Sequence, residues 1–287
     1  MSTTPDGFQE ALDATLPILQ SMTKNLRAKP KATKTSLENL KASLPPSFEK
    51  PTTPAEETNN SAEQIKHVKP AAPVVSGKDD GRLAKLEVLK KNILSCTRCP
   101  HLVTSRTQVV YGVGNPFAEL LFVGEAPGEE EDLRGEPFIG KAGQLLTKII
   151  SAMEYTREDI FIANVLKCRP DMPEGESGNR KPKPAEMATC LPWLTQQIEL
   201  IKPKVIVALG LTAVEGLLGE PCTMRDVRGK WLEYHGVPLM PTYHPAYLLR
   251  NQTLAEKRKV WEDMLLVLEQ LGRPISTKQR GYFLEKA

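Results

Sequence analysis

Two cysteines three positions apart, Cys96 and Cys99, and two more at Cys168 and Cys190 stand out, because a thiolate is a ligand for soft metals. Between Cys99 and Cys168 lie 68 residues, and between Cys168 and Cys190 lie 21, which is not the double-knuckle spacing of a zinc ribbon. Four thiolates suit a zinc ion or an iron-sulfur cluster, and spacing alone does not choose between them. Burial as plain structural cysteines is the weaker reading. Cys96-Thr97-Arg98-Cys99-Pro100 and Lys167-Cys168-Arg169-Pro170 set the thiols at polar, proline-terminated ends of elements. Cys222 has no partner at ligand spacing and reads as a small buried residue. A second run, Gly135 to Ala142 (GEPFIGKA), nearly matches the phosphate-cradling pattern G-x4-G-K-[ST]. Ala142 stands where a hydroxyl would hold magnesium, and the run follows the acidic stretch Glu129 to Asp132 rather than a strand, so a nucleotide hydrolase is a poor fit.

The elements that must position these residues begin near residue 81. Leu83, Leu86, Leu89 and Ile93 recur at three and four residues and predict a helix running into Cys96. Four apolar runs, Leu120 to Gly124, Ile160 to Leu166, Val205 to Leu209 and Pro238 to Tyr243, read as buried parallel strands. Helical stripes separate or follow them: Leu145 to Met153, Met187 to Leu200, and Trp261 to Leu268. Alternation of strand and helix predicts an α/β fold, a three-layer α/β/α sandwich on a short, mostly parallel four-stranded sheet. Ligands of such sheets sit beyond the carboxyl ends of the strands. That rim carries Gly124 to Gly128, Asn164 to Pro170, and Tyr243-His244-Pro245.

Composition frames the rest. The 287 residues exceed one average domain, and the net charge of +3 announces no global basic field, so any nucleic-acid partner must be met locally. Residues 1–80 hold nine prolines, two aromatics (Phe8 and Phe48) and no Cys, Trp or Tyr, with ten basic against ten acidic side chains. Such a segment cannot bury enough apolar surface to offset its ordering entropy and reads as a Pro/Lys/Thr-rich disordered tail. Leu12, Leu16, Leu19, Met22 and Leu26 hint at a helix over Phe8 to Leu26 that Pro17 interrupts. The expected organisation is therefore a tail over 1–80, one folded domain over 81–272, and a C-terminal tail over 273–287. The acidic N-terminus and the lack of a membrane-length apolar run point to a cytoplasmic chain with no membrane partner, expected as a monomer.

Residues 88–271 closely resemble the family 4 iron-sulfur uracil-DNA glycosylases. The likeness rests on Cys96-x2-Cys99, GEAPGEEED (Gly124 to Asp132), EPFIGKAGQLL (Glu136 to Leu146), NVLKCRP (Asn164 to Pro170), Cys190 early in a helix, and HPAYLLR (His244 to Arg250). The resemblance implies a 4Fe-4S cluster on Cys96, Cys99, Cys168 and Cys190 with a structural role, a partner in uracil-containing DNA, and hydrolysis of the N-glycosidic bond of deoxyuridine to leave an abasic site.

The chemistry of that reaction can be set against the residues. Expelling uracil as an N1 anion leaves an oxocarbenium-like sugar, so catalysis is mostly electrostatic stabilisation around a flipped-out base. Telling uracil from cytosine demands an amide whose C=O accepts from N3–H while its NH2 donates to O4, and Asn164 suits this. The wrong base strands buried polar groups at about 1–3 kcal/mol each. Phe138 can stack on the extruded ring and His244 can donate to uracil O2, the roles that the resemblance assigns to these positions. It also implies that Glu131 lies near the C5 side of the pocket, against thymine, that Gly124 is among the substrate-binding residues, and that Glu125 and Ala126 form the water-positioning segment. Ala126 cannot act as a base, which leaves backbone groups or Glu125. For DNA engagement, Tyr247 and Leu248 are expected to wedge into the vacated stack and Arg250 to meet a phosphate. Lys167, Arg169, Arg180, Lys181 and Lys183 are expected as a basic loop along the backbone.

Two competing readings carry discriminating features. A relative that traps the abasic product through a histidine after the second strand is disfavoured, because residues 171–189 contain none. A non-catalytic iron-sulfur DNA-binding or replication-associated module would have lost Asn164 or His244, and both are present. His67, His101 and His235 read as ordinary exposed or satisfied side chains. The Pro-rich tail offers a docking segment for a repair or replication protein.

Overall fold

Apolar runs of four to six residues become strands because they are buried on both faces. β2 (Leu120–Gly124), β3 (Phe161–Asn164) and β4 (Val205–Leu209) are buried at every residue, and β6 (Val237–Thr242) at its last four. They form the parallel centre of the sheet, in the order β3-β2-β4-β6. A computed structural model of the chain describes residues 80–173, 175, 176 and 178–284. The expected tail, but for Asp80, and the expected helix over Phe8 to Leu26 lie outside the described residues.

The sheet has six strands among the described residues rather than the four expected. β1 (Val113–Gly114) pairs antiparallel with β3 at one edge, and β5 (Leu232–Tyr234) pairs antiparallel with β6 at the other. At two and three residues neither carries a readable periodicity. The β5–β6 hairpin turns through His235 (φ 50°) and Gly236 (φ 80°), the positive-φ pair that a two-residue connection requires.

Alternate strand residues feed two cores. Leu121, Val123, Ala163, Ile206 and Ala208 face one side with α1 (Arg82–Leu94), α5 (Pro184–Ile201) and α6 (Leu211–Leu218). Leu120, Phe122, Ile162, Val205 and Val207 face the other, with α4 (Lys141–Ala152) and α9 (Leu254–Gln270). Three layers follow, α/β/α as expected. Leu86, Leu89 and Ile93 of α1 are buried, whereas Leu83 at its start is exposed. Beyond α9, residues 273–284 of the segment set apart as a C-terminal tail pack on the domain. In α10 (Thr277–Arg280), Gln279 is buried and donates to the Ala152 carbonyl, and its own carbonyl accepts from Trp261 Nε1 at 2.6 Å. No helix among the described residues is long and apolar enough to cross a membrane.

One carboxylate ties down the long connection from β3 to α5. Glu186, in the first turn of α5 and 3 % exposed, accepts from the Lys183 amide (2.7 Å), from Arg180 at both oxygens (2.7 and 3.0 Å) and from His101 Nε2 (2.8 Å) of α2 (Pro100–Ser105). Arg180 also bonds the Asp171 carboxylate. Burial opposes ionisation of Glu186, yet these donors outweigh it and hold its carboxyl down to about 2, against an ordinary 4.5. A depressed carboxylate contributes stability that is full above its unfolded pKa and is lost as pH falls toward the folded one. Chemical unfolding followed by circular dichroism should show stability falling as pH drops from 4.5 to about 2. Glu186→Gln should lower stability at neutral pH and flatten that acid limb; an acid limb identical to wild type overturns the assignment.

Candidate active site

The carboxyl ends of β2, β3 and β6 open onto a pocket of about 440 Å³, lined among others by Glu125, Ala126, Glu131, Phe138, Asn164, His244 and Arg250. The site lies where the topology requires it. From β2 the chain goes first to β3 on one side and later to β4 on the other, and a crevice forms outside the strand ends where the order reverses.

The pocket floor depends on two missing side chains. A Cβ on Gly124, the last residue of β2, would strike Asn164 Oδ1 and come within 2.5 Å of Phe138 Cζ, so glycine alone lets the ring and the amide approach across the strand end. On α4, a Cβ at Gly143 would overlap the Phe138 carbonyl. Phe138 itself is buried at φ 54°, an unfavourable conformation for a side chain of its size. Its surroundings hold it there. Arg157 donates to the carbonyls of Pro137 (2.8 Å) and Phe138 (3.1 Å), while Glu131 accepts from the amides of Ile139 and Gly140 (3.0 Å each). The second oxygen of Glu131 accepts from the Gly128 amide at 3.1 Å, so this carboxylate of α3 (Glu129–Arg134) joins both pocket loops.

Asn164 ends β3 paired with Gly124, is 2 % exposed, and its Oδ1 is buried with no hydrogen-bond partner. An unmade bond to a buried amide oxygen costs about 1–3 kcal/mol, and function is the common reason for tolerating it. His244 caps α8 (Pro245–Arg250), with Nδ1 accepting from the Ala246 amide at 3.1 Å. Its ring lies 5.6 Å from that of Phe138, at 33°. Burial holds the His244 pKa below its ordinary value; Glu125 and Glu131 oppose this and Arg250 reinforces it. The ring is therefore neutral at pH 7, and with Nδ1 accepting, the proton resides on Nε2.

The thiols lie on the α1/α5 side of the sheet, where Cys168 and Cys190 belong to the core and Cys96 and Cys99 pack against it. Nitrogen donors converge on three of the sulfurs: Arg106 on Cys168 (3.0 Å), Trp193 Nε1 on Cys96 (3.3 Å) and the Lys167 amide on Cys190 (3.3 Å). Burial raises the pKa of Cys99 and Cys168 and pushes that of Cys190 to about 11. Cys222, read as a buried residue, is only partly buried, packed against the same core face. His101, Asp171 and Glu186 bring three ligand atoms within 4.8 Å of one another, but Arg180 already bonds both carboxylates, so this group is an ion-pair knot rather than a metal centre.

Two expected DNA contacts are corrected. Lys167 is 1 % exposed and its ammonium points inward, so it cannot reach a phosphate. Leu248 is buried at 4 %, because a short helix on the core must turn one apolar residue inward; Leu249 is the exposed one. Tyr247 is half-buried, stacked on Tyr243 at 4.5 Å, with its hydroxyl donating to Glu256, and Arg250 is exposed at the pocket edge. The other basic residues of the loop are partly committed inside the fold. Arg169 bonds Asn179 and the Gly178 carbonyl, Arg180 the knot above, and Lys181 Glu215. Sequence reasoning missed Arg157, Asn179, Arg106 and Trp193. Each lies outside the motifs, and only the indole and guanidinium donor chemistry near cysteines was there to be read.

Residues 111–265 match the family model described as the uracil DNA glycosylase superfamily. The chain is 45% identical over 181 residues to a type-4 uracil-DNA glycosylase of Thermotoga maritima, spanning 62% of this chain and 91% of that protein. It is 42% identical over 183 residues to one of Archaeoglobus fulgidus (61% and 88%), and 40% identical over 208 residues to one of Sulfurisphaera tokodaii (69% and 90%).

The pocket geometry fixes one spectroscopic outcome. Nitrogen-15 NMR of the histidine rings should find His244 at pH 7 as the neutral tautomer protonated at Nε2, titrating below the ordinary 6.5. A proton on Nδ1 at neutral pH contradicts the cap.

Proposed function

The chain belongs to the uracil DNA glycosylase superfamily, and from that premise we infer that it is a uracil-DNA glycosylase, hydrolysing the N-glycosidic bond of deoxyuridine in DNA to free uracil and an abasic site. The observation that carries the reading is the orphaned Oδ1 of Asn164, buried at the floor of the pocket. Uracil N3–H is the donor that this oxygen lacks, and the amide NH2 then faces O4. Cytosine offers an unprotonated N3 and an amino group, which oppose both, at about 1–3 kcal/mol for each buried group left unpaired.

In the proposed reaction Phe138 stacks on the extruded base, and Nε2–H of His244 donates to O2. As the C1′–N1 bond breaks its electron pair passes to uracil, and O2 carries much of the resulting charge; a fixed donor there stabilises the transition state more than the ground state. Water then attacks C1′ and loses a proton to solvent, while the uracil anion takes one up from solvent on release. Ala126 supplies no base, so the backbone of Glu125 and Ala126 is assigned to holding that water, with the Glu125 carboxylate beside it. Glu131 is assigned to fixing the loop behind Phe138, since both of its oxygens are taken by backbone amides. On the DNA side, Tyr247 and Arg250 retain their proposed roles, and Leu249 replaces Leu248 as the apolar residue available to enter the stack.

Cys96, Cys99, Cys168 and Cys190 are assigned to a 4Fe-4S cluster. The donor set fits, with four thiols on one core face and N–H groups aimed at three sulfurs. Among the described residues only His101, Asp171 and Glu186 bring three ligand atoms within 4.8 Å, so the thiols spread wider than the about 3.8 Å that a single tetrahedral zinc would impose. When bound, the cluster supplies a crosslink among α1, the loop after β3, and α5.

Release of free uracil from a uracil-containing oligonucleotide by anaerobically purified protein tests the reading. Multiple turnovers are expected, with Asn164→Ala and His244→Ala each slower by about 10²–10³-fold and with iron and acid-labile sulfide, rather than zinc, in the protein. A folded, iron-containing chain that binds DNA without releasing uracil leaves the non-catalytic module as the answer.

A further inference from the structure

Lys167 was expected on the DNA and lies in the core instead, fully buried in the bend directly before Cys168. Its Nζ donates to the backbone carbonyl of Asn164 at 2.9 Å and to Oε1 of Gln197 at 2.5 Å. Gln197, wholly buried on α5, passes the chain on, with Nε2 donating to the Tyr111 carbonyl at 3.0 Å. The place of this strut in the sheet explains its need. Pairing of β1 with β3 ends at Val113 opposite Ile162, two residues short of Asn164. The carbonyls of Tyr111 and Asn164 beyond that point are both acceptors and cannot satisfy each other. The ammonium and the amide supply the missing donors.

Lys167 also faces the cysteines. Its own amide donates to Cys190 Sγ at 3.3 Å. One residue thus meets the cysteine set with its main chain and the base-reading strand end with its side chain.

We propose that Lys167 is a positioning residue for uracil recognition: by fixing the Asn164 carbonyl it sets the aim of the Asn164 amide. The inference rests on the uracil reading above and adds a residue that touches no substrate. It also makes base discrimination depend on the metal-binding loop through one identifiable hydrogen bond.

A double-mutant cycle on the full chain tests it. In single-turnover reactions at saturating deoxyuridine oligonucleotide, Lys167→Met with unchanged iron content should be slower by about 10- to 100-fold, as for loss of one charge-assisted hydrogen bond. In an Asn164→Ala background the same substitution should cost nothing further. Equal losses in both backgrounds overturn the proposal, because they mean that Lys167 acts independently of Asn164. If Lys167→Met fails to retain iron, Gln197→Met takes its place, leaving ammonium and cysteines intact; a smaller loss that vanishes in the Asn164→Ala background is expected, and a wild-type rate overturns the proposal. The Asn164 side-chain amide resonance, identified by its disappearance in Asn164→Ala, should shift and broaden in either variant. That signal reports on the strut even if the chain releases no uracil, an outcome that would defeat the functional reading instead; an unmoved resonance defeats the strut.

Discussion

Everything in the pocket depends on how closely three pieces of chain approach at the end of β2. Gly124 has no side chain, so the Phe138 ring and the Asn164 amide can occupy the space that a methyl group would fill. The approach is costly to keep. Phe138 sits at positive φ, and its loop is pressed onto α4 where Gly143 is bare. Strain of this kind persists only when the surroundings over-determine the backbone, and here two partly buried charges do so, one through carbonyls and the other through amides. Arg157 takes the carbonyls of residues 137 and 138, and Glu131 takes the amides of 139 and 140. Stacking surface and amide are thereby set before any ligand arrives, which is the condition for binding energy to go into the reaction rather than into ordering loops.

The two faces of the sheet divide the labour. The α4/α9 side contributes Phe138 and a broad apolar core, so the stacking residue is anchored by ordinary packing. The α1/α5 side carries the cysteines, and the long connection after β3 on that side is rich in proline and charged residues. Such a loop between β3 and α5 has little apolar surface to hold it. Glu186 with Arg180 and His101 at one end, and the thiols at the other, supply what packing does not. A metal centre is a natural crosslink where a segment must be rigid yet has no core of its own.

Much of this was legible in the sequence because the chemistry-bearing residues sit in short motifs at strand ends, where fold class fixes their position. Gly124 ends one run of buried β residues and His244 directly follows another, while Asn164 lies within the run Ile160 to Leu166, which the structure ends as a strand at Asn164. Lys167 and Leu248 were misread for a common reason: within a motif, the local pattern gives no phase. A lysine between a strand end and a cysteine-arginine pair looks exposed, and only the break in β1 pairing two residues short of Asn164 reveals an interior with two orphan carbonyls to satisfy. In a six-residue helix, whether Leu248 or Leu249 faces the core depends on how His244 caps it, a tertiary fact. β1 and β5 escaped notice because strands of two or three residues have no period. Arg157 was invisible because its partners are main-chain atoms, which leave no mark on composition.

The neutrality of His244 follows from the same geometry rather than from a separate tuning. A cationic imidazole would attract an anionic leaving group more strongly, but it needs protons on both nitrogens. Nδ1 is already accepting from the Ala246 amide, so a proton there would oppose an N–H that cannot turn away. Burial and Arg250 act in the same direction. The ring is thus held as a donor at Nε2 alone, pointing a fixed dipole rather than a titrating charge into the pocket. Under the proposed reaction such a donor asks for no proton transfer and no reorganisation as charge develops on O2, and it keeps the same aim across the neutral pH range. Helix cap, strand end and bare glycine therefore form one construction, in which the residues that touch the base are each held by an interaction that the base itself does not have to make.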